Sequence, residues 1–153
     1  MSPFHGMHIE HLGCVRSVVC VEASQALKVT LRGRQIEVSI ADALRADVAQ
    51  LVLRWQEREA KRYLTERVRA LSNQTGLSIR RLSFRKQRSR WGSCNHRGDV
   101  SLNLSLMTLA PELIDYVIVH ELSHTKHMNH SRAFWGEVER HCHLAKRLDR
   151  ALR

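Results

Sequence analysis

His120-Glu121-Leu122-Ser123-His124 sets two histidines four residues apart, and no other feature of the chain restricts its fold as strongly. On a helix, positions i and i+4 stand one above the other on the same face, so both imidazoles can converge on one tetrahedral ion. This is the HExxH pattern of zinc hydrolases. Glu121 projects beside such an ion rather than onto it, where a carboxylate can take a proton from water; it is the candidate general base. The preceding run Tyr116-Val117-Ile118-Val119 buries the helix. Imidazoles left uncompensated on a buried helix are costly, which favours coordination over coincidence.

A third ligand must come from elsewhere in the chain. His130 lies six residues after His124 and just before a second helical pattern, so the backbone can swing it back to the ion. His127 is an alternative, although three closely spaced ligands on one regular helix are strained. Glu137, in a Glu-x-x-x-His pair with His141, is another.

Around this centre the periodicities predict the following elements. His5, His8 and His11 belong to a first stretch, 1–11, expected to be loosely ordered. Val15 to Glu22 reads as a strand, and Leu27, Val29, Leu31 then Ile36, Val38, Ile40 alternate about Gly33 as a hairpin. Asp42 is placed to cap a long helix to about Ser72, with Leu44, Val48, Val52, Leu64 and Val68 inward and Gly76 ending it. Its other face interleaves Arg and Lys with Glu57, Glu59 and Glu66, as a solvated surface does. Leu82 and Phe84, the turn Asn95 to Gly98, and Val100, Leu102, Leu104 predict a second hairpin. The strand Val100 to Leu106 is the candidate edge for an extended substrate. Trp91 reads as a core aromatic and Cys94 as a small buried hydrophobe; Gly92 allows close backbone approach. Pro111 fits the first position of the metal helix, expected to reach His127, with Glu112 and Asp115 favoured by its dipole. Ser131 caps a final helix with Phe134, Trp135, Val138, Cys142, Ala145, Leu148 and Leu152 inward.

The chain has 153 residues and no repeat, low-complexity tract or linker, so a single domain over 1–153 is expected. Its four cysteines form no CxxC pair and read as reduced thiols. No apolar stretch is long enough to span a bilayer and no signal-peptide core is present, so a cytoplasmic protein without a membrane partner is expected. Net charge is +10 with pI near 10.3. Such a field attracts phosphates or acidic protein, which makes a nucleotide or nucleic acid a possible partner of the basic surface alongside a peptide substrate. Charge alone supports only non-specific attraction.

Arg90-Trp91-Gly92-Ser93-Cys94, Leu102-Asn103, Ile114 through His124, Asn129-His130-Ser131 and Phe134-Trp135 together resemble the YgjP-like metallopeptidase family over residues 40–145. The resemblance implies an α+β, minimal zincin-like fold: a small antiparallel or mixed sheet on a long helix, an HExxH helix and a C-terminal helix. It implies His120, His124 and His130 as Zn2+ ligands and Glu121 as the catalytic residue, with a distant relation to SprT-like proteases. The stretch before the long helix is short for that family, pointing to a reduced N-terminal sheet. His143-Leu144 stands where relatives carry a proline, pointing to a continuous last helix.

The expected activity is a zinc metallopeptidase in which Glu121 activates water and Arg90 stabilises the developing oxyanion. Because some relatives are associated with nucleoside triphosphate hydrolysis, notably of UTP, a metal-dependent pyrophosphatase is the second reading. The segment Arg80, Arg81, Arg85, Lys86, Arg88, Arg90 would suit a polyphosphate, although no Gly-rich phosphate loop is present. A zinc-stabilised nucleic-acid-associated module is the third.

Overall fold

The computed structural model describes residues 7–23, 28–40 and 48–153. The residues Leu27, Asp42, Leu44 and His5 of the expectations above lie outside these. The architecture is α+β, with two small mixed sheets and four helices.

The first sheet has the order β1-β2-β4-β3. Strand β1 (His8–His11) runs antiparallel to β2 (Cys14–Glu22), which pairs in parallel with β4 (Gln35–Ile40); β3 (Lys28–Arg32) closes the other side antiparallel to β4. This corrects one expectation over the described residues: His8–His11 is a paired strand rather than a loose end. Its turn, Leu12-Gly13, has positive φ at both residues (52° and 72°), the geometry that a two-residue hairpin demands. Both amides of that turn donate onward, Leu12 to the carbonyl of Met107 and Gly13 to that of Thr108, so the hairpin tip is tied to the second half of the chain.

Helix α1 (Val48–Thr75) is the spine. Val48 and Val52 pack with Val18, Ile36, Val38 and Ile40 of the first sheet, whereas Ala60, Leu64, Val68 and Leu71 belong to a second core. Its charged face carries the expected pairs, Lys61 with Glu57 at 2.9 Å and Arg62 with Glu66 at 3.0 Å. Gly76, at φ +71°, ends it by donating to the carbonyl of Ser72.

The second sheet has the order β5-β7-β6. β5 (Arg81–Arg85) pairs in parallel with β7 (Asp99–Asn103), and β6 (Gly92–Cys94) pairs antiparallel with β7 across the Asn95–Gly98 turn. The expected substrate edge, Val100 to Leu106, is therefore corrected. β7 is hydrogen-bonded on both sides, and residues 104–108 form a 3-10 helix (Leu104–Thr108). The edge strands of this sheet are β5 and β6, and β6 is the one that lines the cleft with His120, Glu121 and His124.

Helix α2 (Pro111–Ser123) has Pro111 in its first turn with Glu112, as expected, and is buried along Ile114, Val117, Ile118 and Leu122. A bidentate pair, Arg67 with Asp115 at 2.9 and 2.6 Å, ties it to α1. It ends short of His127 by tightening: the amides of His124, Thr125 and Lys126 reach back to Glu121, Leu122 and Ser123. Helix α3 (Arg132–His141) starts on the Ser131 side chain, which accepts from the Phe134 amide. The last helix is not continuous. Cys142 is extended (φ −142°, ψ 95°), and a separate α4 (Ala145–Ala151) follows. The break turns α4 back toward α2. Among the described residues, no helix is long and apolar enough to cross a membrane.

Candidate metal centre

Three histidines from one helix end and the loop that follows it meet. The candidate ligand atoms of His120, His124 and His130 all lie within 4.8 Å of one another and could hold a metal ion. His120 occupies the last turn of α2, and His124 caps it while keeping helical backbone angles, so the i, i+4 stacking survives the tightened terminus. His130 comes from the loop between α2 and α3, with its Nε2 at 3.1 Å from His120 Nε2. His127 and Glu137, the alternatives for the third position, lie elsewhere. The His127 carbonyl accepts from His124 Nδ1 at 2.9 Å. Glu137 is buried between Lys126, Arg140 and His141.

The hydrogen bonds decide where the lone pairs point. Tyr116 Oη donates to Asp149 Oδ1 at 3.0 Å. A phenol has one proton, so toward His120 Nδ1, at 3.2 Å, the same oxygen must accept. His120 therefore carries its proton on Nδ1 and a lone pair on Nε2. His124 is held in the same tautomer by the His127 carbonyl. Two basic Nε2 atoms thus face the space beside His130, an arrangement that can take a cation. Burial, followed by the neighbouring imidazoles His124 and His130, holds His120 down to about 4, and burial likewise lowers His124. Both are neutral at physiological pH, as metal ligands must be.

The floor of the centre is Phe134, fully buried, whose ring centroid lies 4.9 Å from His120, 4.4 Å from His124 and 4.8 Å from His130. Glu121 points from α2 toward β6 and is 6% exposed. Burial pushes its carboxyl up to about 7, against the opposing pull of Arg90. Gly92 of β6 is the contact that makes room for it. A Cβ there would lie 2.9 Å from Glu121 Cγ.

The cleft above the histidines is about 350 Å³, lined on one side by Arg90, Gly92, Ser93 and Cys94 and on the other by His120, Glu121, His124, Met128 and His130. Asn103 N donates to Trp91 O, and Asn95 N to Asp99 O, which fixes the ladder's phase. Residues 91, 93 and 95 turn their backbone groups toward β7, so those of Gly92 and Cys94 face outward along the cleft. Cys94 is no nucleophile: burial, with Glu121 adding to it, pushes its thiol up to about 11. Trp91 packs against the second core as expected. Arg90 is exposed on the rim.

Tyr116, Asp149 and Phe134 acquire roles that sequence patterning did not assign. Tyr116 was readable in principle, one helical turn before His120 on the same face. Asp149 carries no local signal.

A family model described as YgjP-like, metallopeptidase domain, matches residues 5–153. The crystal structure of the metallopeptidase zymogen of Pyrococcus abyssi abylysin is similar with a TM-score of 0.52 and 22% identity, over 58% of this chain and 90% of that one. That of the Methanocaldococcus jannaschii jannalysin zymogen is similar with a TM-score of 0.50 and 20% identity, over 58% and 92%. No curated protein matches.

Proposed function

The chain belongs to the YgjP-like metallopeptidase family, and from that premise we propose that it is a zinc-dependent peptidase with His120, His124 and His130 as ligands and Glu121 as general base. One observation carries the reading: two imidazole Nε2 lone pairs, fixed by Tyr116 and the His127 carbonyl, converge beside a buried carboxylate and an open strand edge.

Zinc, when bound, supplies positive charge that polarises a carbonyl and makes water more acidic. The rest is supplied by the chain. Gly92 and Cys94 offer outward backbone donors and acceptors to an extended peptide, which adds as a further strand and lays its carbonyl across the cleft. Glu121 takes a proton from the attacking water at a carboxylate oxygen and delivers it to the departing amine nitrogen. Its raised pKa places it near the range in which such a shuttle is efficient. Arg90 lines the cleft, which supports giving it the stabilisation of charge developing on the carbonyl oxygen.

The test is Glu121→Gln. Zinc stoichiometry should be unchanged, and cleavage of an unstructured protein such as casein should fall by at least about a thousandfold. Turnover retained in that variant removes Glu121 from the mechanism. Release of phosphate or pyrophosphate from a nucleoside triphosphate, without peptide cleavage and lost in the same variant, would move the protein to nucleotide hydrolysis.

A further inference from the structure

The loop from β5 to β6 carries charge that the fold does not use. Most basic residues nearby are matched: Arg62 by Glu59, Arg67 by Asp115, Arg80 by Asp99, Lys86 by Glu57. Arg85, Arg88 and Arg90 have no ion-pair partner among the described residues. They gather around a cavity of about 450 Å³ lined by Arg85, Gln87, Arg88, Ser89, Arg90 and Ser93, with no acidic residue in its wall. This cavity shares Arg90 and Ser93 with the metal cleft, so the two adjoin.

The loop is also a built structure. Asn103 of the central strand β7, 5% exposed, donates from Nδ2 to the carbonyls of Gln87 at 2.7 Å and Arg90 at 2.8 Å, while its Oδ1 accepts from the Ser105 amide at 3.0 Å. One buried amide thus fixes both ends of the segment that bears Arg88 and Arg90. Lys86 reaches away to Glu57 on α1 at 3.1 Å, anchoring the outer side. Arginines on a fixed backbone lose less freedom on binding a ligand than arginines on a mobile loop.

Building on the peptidase reading, we infer that Arg85, Arg88 and Arg90 form a subsite for carboxylate side chains of the substrate, and that acidic peptide segments are the preferred substrate class. Guanidinium forks match carboxylates bidentately, and Ser89 and Ser93 add hydroxyl donors. The cavity opens beside the outward backbone of β6, where an extended peptide projects alternate side chains to either side. Phosphate ligands fit this wall less well. No Phe, Tyr or Trp ring lines either cavity to stack a base.

The experiment uses two versions of one peptide, one rich in Asp and Glu and the other with Asn and Gln in their place. Binding is read by fluorescence anisotropy on zinc-loaded Glu121→Gln protein, and cleavage by kcat/KM on the zinc-loaded wild type. The acidic version should lead by about tenfold in both at low salt, with the lead shrinking as salt rises. Arg85→Glu with Arg88→Glu should abolish the lead in both and leave cleavage of the neutral version unchanged. Arg85→Gln with Arg88→Gln serves if the reversal perturbs folding. Equal handling of the two peptides by the wild type, or a lead that survives both double variants, overturns the subsite. So does tighter binding of an oligonucleotide or nucleoside triphosphate that the same reversal abolishes, with no acidic-peptide lead. If neither peptide is cleaved but the acidic one still binds better through these arginines, the peptidase reading falls and the subsite stands.

Discussion

Tyr116 links the first ligand to the end of the chain. Its oxygen accepts from His120 Nδ1 and donates to Asp149, whose other oxygen is held by Arg153 at 2.9 Å. Burial and the Asp149 carboxylate raise the phenol well above its usual range, so it acts as a fixed hydrogen-bonding group and not as an acid. Tyr116→Phe keeps the ring packing and removes only this link. His120 is then free to adopt the other tautomer, and zinc affinity should fall by about 10- to 100-fold in a competition titration with a chromophoric chelator. The far-ultraviolet circular dichroism should not change. Unaltered affinity would show that packing on Phe134 alone orients the imidazole. The meeting of His120, His124 and His130 beside Glu121 was legible in sequence because one helical period sets the first two histidines and the glutamate, and His130 followed from its position just ahead of the Ser131 cap. Asp149 was not, because it reaches Tyr116 only through the break at Cys142, where the apolar stripe runs on unbroken in sequence while the backbone does not.

The packing of β6 on α2 sets the distance between the proposed substrate edge and the proposed general base. Gly92 does not have a left-handed backbone; what it supplies is missing volume. Gly92→Ala would set a methyl 2.9 Å from Glu121 Cγ and 3.0 Å from its Oε1, so the carboxylate must move. A displacement of that order should lower kcat by about ten- to a hundredfold with the zinc content intact. Full activity in the variant would mean that Glu121 has slack to spare. The close approach at Gly92 was legible from the sequence, but the edge was assigned to the wrong strand. Alternation in Val100, Leu102 and Leu104 reads the same for an edge as for a central strand. What makes β7 central is β5 pairing in parallel on its far side, a crossover relation that no local pattern encodes. The register of β2 was hidden for the same reason, since its partner β4 is also parallel.

Two cores share one helix, and the molecule's acid response should originate where they meet. A cavity of about 460 Å³ lies between β1, α1, the arginine loop and the 3-10 helix, and His11 forms part of its wall. His11 is 2% exposed, and neither ring nitrogen has a hydrogen-bond partner among the described residues. Its ring sits 5.7 Å from that of Trp55 on α1. Burial first, then Arg16, lowers its pKa below the ordinary 6.5, while Glu59 pulls the other way. The unfolded chain therefore binds more protons than the folded one just below that value, and stability must fall as pH drops through the window beneath 6.5. His11→Phe removes both unsatisfied nitrogens and the titration together, and the neighbouring cavity gives the larger ring room. In urea unfolding of zinc-saturated protein, where coordination keeps the ligand imidazoles from titrating, the variant should be more stable than the wild type by about 1 kcal/mol near neutrality. The gap should widen between about pH 7 and about pH 5.5. A gap that stays constant over that range would mean that His11 gains a partner or reaches water when protonated, and that the junction is looser than its burial implies.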